Sequence, residues 1–106
     1  MNNTVDLQKI AEELEFDLED VEMLFEVFLA DANETLIPLR EAVKRNDYEN
    51  IFRLSHSIKG SASNILLTDI ANSAQKIESN ARENKSINYV ELLEVLEEKI
   101  HLCMDS

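Results

Sequence analysis

Hydrophobic residues recur every three or four positions along almost the whole chain, which is the spacing of amphipathic helices. The first stripe is short and consists of Leu7, Ile10, Ala11 and Leu14. A longer stripe begins after Asp17, a suitable N-cap residue, and consists of Val21, Leu24, Phe25, Phe28, Leu29, Ala32, Leu36, Leu39 and Val43. Because proline removes a backbone donor and clashes with the preceding turn, we expect a kink or break of this helix near Pro38.

Three more helices are predicted further along the chain, each with a capping signal at its start. Asp47 caps a helix over residues 48–65. Thr68 caps the next helix, whose inward residues are Ile70, Ala74, Ile77 and Ala81. At the last helix Asn88 and Glu91 form a pair like a capping box, and the inward residues are Val90, Leu93, Leu96 and Ile100.

The composition favours long helices joined by few turns. The chain of 106 residues contains one glycine and one proline, so few connections are expected. Brief loops make consecutive helices antiparallel neighbours. The sequence therefore predicts an all-α fold, an up-down antiparallel four-helix bundle with a short additional N-terminal helix, in a single domain over residues 1–106.

The charge balance of the chain limits the classes of molecule that it is expected to bind. The 22 acidic and 10 basic residues give a formal net charge of −12, which repels phosphate backbones and disfavours nucleic-acid binding. The first residues lack the pattern of a secretory signal, and no apolar run approaches the length of a membrane span. We therefore expect a cytoplasmic monomer that binds neither nucleic acid nor a membrane.

The residues near the C terminus do not suggest a metal site. His101 and Cys103 lie two residues apart on a helix, so they point in different directions, and no further histidine or cysteine is near them in the sequence. Cys103 is the only cysteine, so no intramolecular disulfide can form, and we expect it to line the core. The expectation is that the chain has no metal and no cofactor of its own.

The only glycine lies inside the third predicted helix, in "SHSIKGSASN". On a helix of about 100° per residue, the inward stripe consists of Ile51, Leu54, Ile58 and Ile65. His56 projects roughly opposite that stripe. Lys59, Gly60 and Ser63 follow it at helical spacing, so the four residues share one exposed face.

This face suits a nucleophile that receives a phosphoryl group. A glycine inside a helix costs about 1 kcal/mol relative to alanine, but the missing side chain opens an approach to His56. One imidazole nitrogen is an unprotonated nucleophile near neutral pH, and Lys59 supplies a positive charge for an anion beside it. Phosphoryl transfer asks a protein mainly for positioning and charge neutralisation. The alternatives are an ordinary surface histidine and a Gly60 placed at a close helix crossing.

At these residues the chain resembles a known family. "HSIKGSASN" is similar to the signature of histidine-containing phosphotransfer (HPt) domains, broadly His-x-x-Lys-Gly-x-(Ser/Ala)-x-x, and "IANSAQKIE" matches the helix that follows. The resemblance covers about residues 18–78. It implies that His56 accepts a phosphoryl group from a receiver domain's phospho-aspartate and passes it to another receiver. It also implies that Lys59 assists electrostatically, that Gly60 gives the partner clearance, and that Ser63 is a small polar residue near the imidazole.

The resemblance also implies the partners and the absence of an ATP site. The expected partners are response-regulator receiver domains, a hybrid sensor histidine kinase, or both, and the expected Mg²⁺ belongs to the receiver. The protein would then be a phosphocarrier and not an enzyme on its own. Two alternatives stay open: the N-terminal phosphoacceptor domain of a chemotaxis-type histidine kinase, and a non-catalytic helical adaptor that binds receivers.

Three residues near the histidine are candidate contacts for a receiver. Phe52 lies one turn before His56, and with Leu67 it would form an apolar docking patch; alternatively, Phe52 packs against the leading helix. Arg53 would steer an acidic receiver rim, or be an ordinary solvated side chain. Two positions depart from the HPt pattern. Ser55 stands where alanine is common, and Leu66 stands where many members have glycine, so the helix either ends differently there or continues to Leu67.

Overall fold

The computed structural model describes residues 5–104, and within them the chain forms five α-helices and no strand. In chain order the helices are α1 (Leu7–Leu14), α2 (Leu18–Lys44), α3 (Tyr48–Asn64), α4 (Thr68–Arg82) and α5 (Tyr89–Met104). The predicted all-α fold is confirmed. None of these helices combines the length and the apolar content needed to cross a membrane.

The helices pack around one core. Contacts connect α2 to α3, α3 to α4, α4 to α5 and α5 back to α2, while α1 packs on α2. The largest fully buried apolar side chains come from the four longer helices and are Val21, Leu36, Leu39, Ile51, Ile77, Leu96 and Ile100. Cys103 is also buried, as expected. At the start of α5 the inward residue is Tyr89 and not Val90, because Tyr89 lies four residues before the buried Leu93 and so continues its stripe. The buried Tyr89 hydroxyl donates to the Lys85 carbonyl at 2.7 Å.

Of the kink or break expected near Pro38, the break does not occur, since α2 is one continuous helix through this residue. Leu36 and Leu39 on either side are fully buried, so core packing holds both halves of the helix. Proline leaves the carbonyl four residues earlier, that of Glu34, without its helical partner. Both Pro38 and Glu34 are exposed, so water can hydrogen-bond to that carbonyl.

The helix starts follow the capping signals in part. Asp47 accepts from the backbone N–H of Asn50 at 3.3 Å, and Asn88 accepts from that of Glu91 at 3.1 Å, so these two caps are confirmed. Asp17 occupies the N-cap of α2 without a side-chain cap hydrogen bond. The prediction for Thr68 is wrong by one residue.

The turn after α3 explains that error. The backbone N–H of Leu66 donates to the Ser63 carbonyl at 3.1 Å, and that of Leu67 donates to the Ala62 carbonyl at 2.9 Å, which is the Schellman pattern of helix endings. Leu66 adopts the left-handed conformation with φ of 58°. The chain therefore reverses at Leu66, and Leu67 becomes the N-cap of α4. The same left-handed conformation, without glycine, follows three other helices, at Glu15, Asn46 and Asn84.

Substitutions of Leu66 test this turn. Leu66→Ala and Leu66→Gly both remove the side chain beyond Cβ, but only glycine removes the clash of Cβ in the left-handed conformation. Because that clash costs about 1 kcal/mol, we expect the free energy of unfolding of Leu66→Gly to exceed that of Leu66→Ala by about 1 kcal/mol. Urea unfolding of the two variants measures the difference. An alanine variant as stable as the glycine variant would contradict the left-handed assignment.

Candidate functional site

His56 projects from α3 away from the core. The buried residues of α3 lie on the other side of the helix and are Ile51, Ser55, Ile58 and Ala62. The His56 side chain is 58% exposed. The prediction that helical phase displays this imidazole to solvent is confirmed.

A buried carboxylate on α4 holds the histidine. The Glu78 side chain is 1% exposed, and its Oε2 lies 3.0 Å from Nδ1 of His56. Lys59 Nζ lies 2.8 Å from the other oxygen, Oε1. Within residues 5–104 no hydrogen bond of regular geometry reaches Oε1, so the ion pair with Lys59 compensates the burial of this oxygen. Arg82, one turn further along α4, donates to Oε2 at 3.1 Å. Glu78 thus ties His56 and Lys59 of α3 to α4.

The environment of Glu78 keeps it ionised. Burial raises the pKa of this carboxyl, but the contacts and positive charges of Lys59 and His56 lower it by more, so its net pKa lies below the ordinary value. An ionised carboxylate only accepts hydrogen bonds, so His56 donates to it through Nδ1. In the neutral ring the unprotonated nitrogen is then Nε2, and an exposed imidazole offers that lone pair to an electrophile.

The space beside Gly60 is open. A Cβ placed on Gly60 would meet no atom within 4 Å outside its own helical turn. Gly60 is therefore not required by a close helix crossing, which was the structural alternative. The clearance that this open space would give a partner stays a prediction.

Phe52 and Arg82 form one wall of the site. The Phe52 ring stacks on the His56 ring with centroids 5.9 Å apart and an interplanar angle of 22°. The guanidinium carbon of Arg82 lies 5.5 Å from the Phe52 ring centroid. Phe52 is partly buried and packs against the core. It is therefore a support for the imidazole as well as a partly exposed surface.

The other residues predicted to lie near the histidine or to contact a receiver differ in their exposure to solvent. Arg53 is exposed and donates to the Asn50 side chain at 2.9 Å. Ser63 is exposed on α3. Leu67 is 6% exposed and belongs to the core, so the predicted apolar patch of Phe52 and Leu67 is wrong. The reason is the chain reversal at Leu66, which turns Leu67 inward where a continued helix would have left it on the histidine side.

The role of Glu78 was missed in the sequence. It follows Ile77 directly and lies four residues after Ala74, so it borders the apolar stripe of α4. A carboxylate on the buried side of a helix needs a partner, and that requirement was the available signal. Two of its partners, His56 and Lys59, come from α3, and the spacing within α4 does not predict them. The third partner, Arg82, lies four residues further along α4.

Comparison with models of known protein families gives a match over most of the chain. A model of the Hpt domain family matches residues 23–104. The chain belongs to the Hpt domain family. The match in this Hpt chain extends past Glu78, where the motif resemblance ends, and includes α5.

A solved structure resembles this Hpt chain over most of its length. It is the crystal structure of histidine-containing phosphotransfer protein B from Pseudomonas aeruginosa PAO1, with a TM-score of 0.77 and 25% sequence identity. The similarity covers 91% of this chain and 81% of that one. Comparison of the sequence with curated proteins gives no match.

The two departures from the Hpt pattern fit the fold. Ser55 is fully buried, and its hydroxyl donates to the Ile51 carbonyl at 2.6 Å, so a buried hydroxyl replaces the common alanine without losing its hydrogen bond. Leu66 takes the left-handed conformation that glycine adopts most easily. The helix end is therefore kept at Asn64, and the cost of a non-glycine residue is local.

Proposed function

We propose that this Hpt protein carries phosphoryl groups in a two-component phosphorelay, with Nε2 of His56 as the acceptor atom. The observation that carries the proposal is the hydrogen bond between His56 Nδ1 and the buried, ionised Glu78, because it assigns the proton to Nδ1 and leaves Nε2 as the nucleophile. Membership of the Hpt family and the likeness to a histidine-containing phosphotransfer protein support the same reaction.

The transfer needs no general base. The Nε2 lone pair attacks the phosphorus of a receiver's aspartyl phosphate, an N–P bond forms, and the P–O bond to the aspartate breaks. The aspartate side chain of the receiver is the leaving group and departs as a carboxylate. The phosphorylated ring retains its Nδ1 proton and becomes cationic, and Glu78 faces that charge at 3.0 Å. Transfer to an aspartate of a second receiver reverses these steps.

The neighbours of His56 have distinct tasks in this proposal. Lys59, with its side chain 28% exposed, neutralises charge on the phosphoryl group while it also binds Glu78. Gly60 leaves room for the receiver's loop atoms beside the imidazole. Ser63 offers a hydroxyl on the same face.

The proposed partners are response-regulator receiver domains, a hybrid sensor histidine kinase, or both. The Mg²⁺ that assists the reaction is expected in the receiver's acidic pocket, and the Hpt protein acts as a phosphocarrier without an ATP site. A cytoplasmic location and a monomeric state remain predictions.

The finer architecture is also part of the proposal. We propose that α2 to α5 form an up-down antiparallel four-helix bundle, with α1 as the additional helix, in one domain over residues 1–106. The ring of helix contacts and the single core support this arrangement.

Label transfer tests the acceptor. A receiver phosphorylated with labelled phosphate is mixed with the wild type or with His56→Gln, and labelled protein is measured over time. We expect label on the wild type, released by acid and retained in base as for a phosphoramidate, and none on His56→Gln. Equal labelling of His56→Gln, or no transfer from any receiver of the host, would contradict the proposal.

Two further measurements, receiver binding and labelling by ATP with a kinase core, separate the alternatives. A non-catalytic adaptor would bind receivers equally well as wild type and as His56→Ala, and would accept no label. A chemotaxis-type phosphoacceptor domain would be labelled by ATP and a kinase core without any receiver. No contact of the described residues favours either alternative.

A further inference from the structure

Charge is distributed very unevenly between the two sides of the molecule. Residues 45–85, which contain α3, α4 and their flanking turns, include six of the 10 basic residues and five of the 22 acidic residues. This segment has a formal charge of +1, and the rest of the chain has −13. Residues 10–39, which include most of α1 and α2, contain ten acidic residues and no lysine or arginine.

The basic side chains of this segment are mostly on the surface. Arg53, Lys76 and Lys85 are exposed, and the Arg82 side chain is 65% exposed. One of the five acidic residues, Glu78, is buried and paired. Because Glu78 is paired with Lys59, these two charges cancel and the segment keeps its charge of +1, whereas the acidic residues of α1, α2 and α5 are mainly exposed.

We infer that this charge segregation orients a partner whose docking face is anionic, so that the partner reaches the α3–α4 side and not the other helices. The inference rests on the proposed function, because the phosphoryl donor is itself an anion on an aspartate. Charges of one sign on one face raise productive encounter rates by about 10- to 1,000-fold, and like charges suppress the wrong orientations. At physiological ionic strength the screening length is about 8 Å, so charges near the docking face dominate over those on the far side.

Neutralisation of three basic residues tests the inference. The triple variant Arg53→Gln, Lys76→Gln, Lys85→Gln removes positive charge from side chains that have no contact with His56, Lys59 or Glu78 among the interactions described. We expect kcat/KM for transfer from a phosphorylated receiver to fall about tenfold at 0.15 M salt, through KM, with kcat unchanged.

A matched variant separates local steering from net charge. Glu12→Gln, Glu13→Gln, Glu94→Gln changes three charges on α1 and α5. If net charge alone governed encounter, this variant would gain as much as the first loses; with steering by the docking face we expect a change below about twofold at 0.15 M salt. Equal and opposite effects of the two variants, or a triple basic variant with the wild-type kcat/KM, would overturn the steering but leave the phosphocarrier function intact. A wild type that accepts no label from any receiver would overturn both.

Discussion

Replacing Glu78 with glutamine is expected to slow phosphoryl transfer to His56 by about 10- to 100-fold. Transfer creates a positive charge on the imidazole, and in the wild type this charge faces an ionised carboxylate 3.0 Å from Nδ1. A hydrogen bond to a charged group is worth about 1.5–3 kcal/mol, and about 1.4 kcal/mol changes a rate tenfold. Glutamine keeps the size of the side chain but loses the charge, and its amide can donate to Nδ1, which moves the ring proton to Nε2 and blocks the nucleophile.

Single-turnover transfer at saturating phosphorylated receiver measures this effect, because encounter then no longer limits the rate. Glu83→Gln is the matched control on the same part of the chain, since Glu83 is exposed and pairs with Lys85 at 3.3 Å. We expect the control to transfer within about twofold of the wild type, as exposed ion pairs contribute little. A Glu78→Gln rate equal to that of the control would show that the carboxylate does not assist the reaction.

Much of the site was predictable because it lies on one helix. The spacing of His56, Lys59 and Gly60 places them on one face whatever the neighbouring helices do, and the inward stripe of α3 fixes that face as the outer one. Glu78 was not predictable in the same way. Its contact with His56 depends on how α4 packs against α3, and no period within one helix contains that information.

The errors have one kind of cause. Sequence propensity gives the preference of a segment in isolation, whereas packing decides the outcome. Core packing on both sides of Pro38 keeps α2 continuous where proline alone favours a break. At Leu66 the chain accepts a left-handed residue without glycine, and that reversal buries Leu67. Pro38 inside a helix and Leu66 in the left-handed conformation are both locally unfavourable, and tertiary packing compensates that free-energy cost.

Gly60 is expected to reveal a direct conflict between stability and transfer. Since a Cβ at this position meets nothing within 4 Å, the first side-chain atom of a larger residue causes no steric strain in the free protein. Gly60→Gln should raise the free energy of unfolding by about 0.5–1 kcal/mol, because glutamine is the better helix former. The same side chain stands one turn from His56, in the space through which the receiver must bring its phosphoryl group.

The transfer rate of Gly60→Gln should fall by about 100-fold, because a displacement of the reacting atoms by about 1 Å has an effect of that size. Ser61→Gln introduces the same side chain at the next residue of α3, which lines the groove towards α2, so its transfer rate should match that of the wild type. Urea unfolding and single-turnover transfer are measured on all three proteins. A Gly60→Gln variant that is more stable and transfers at the wild-type rate would contradict the clearance role. One that is less stable would contradict the open space beside this glycine. The expected pair of results, gained stability and lost transfer, would assign the cost of a helical glycine to access for the partner.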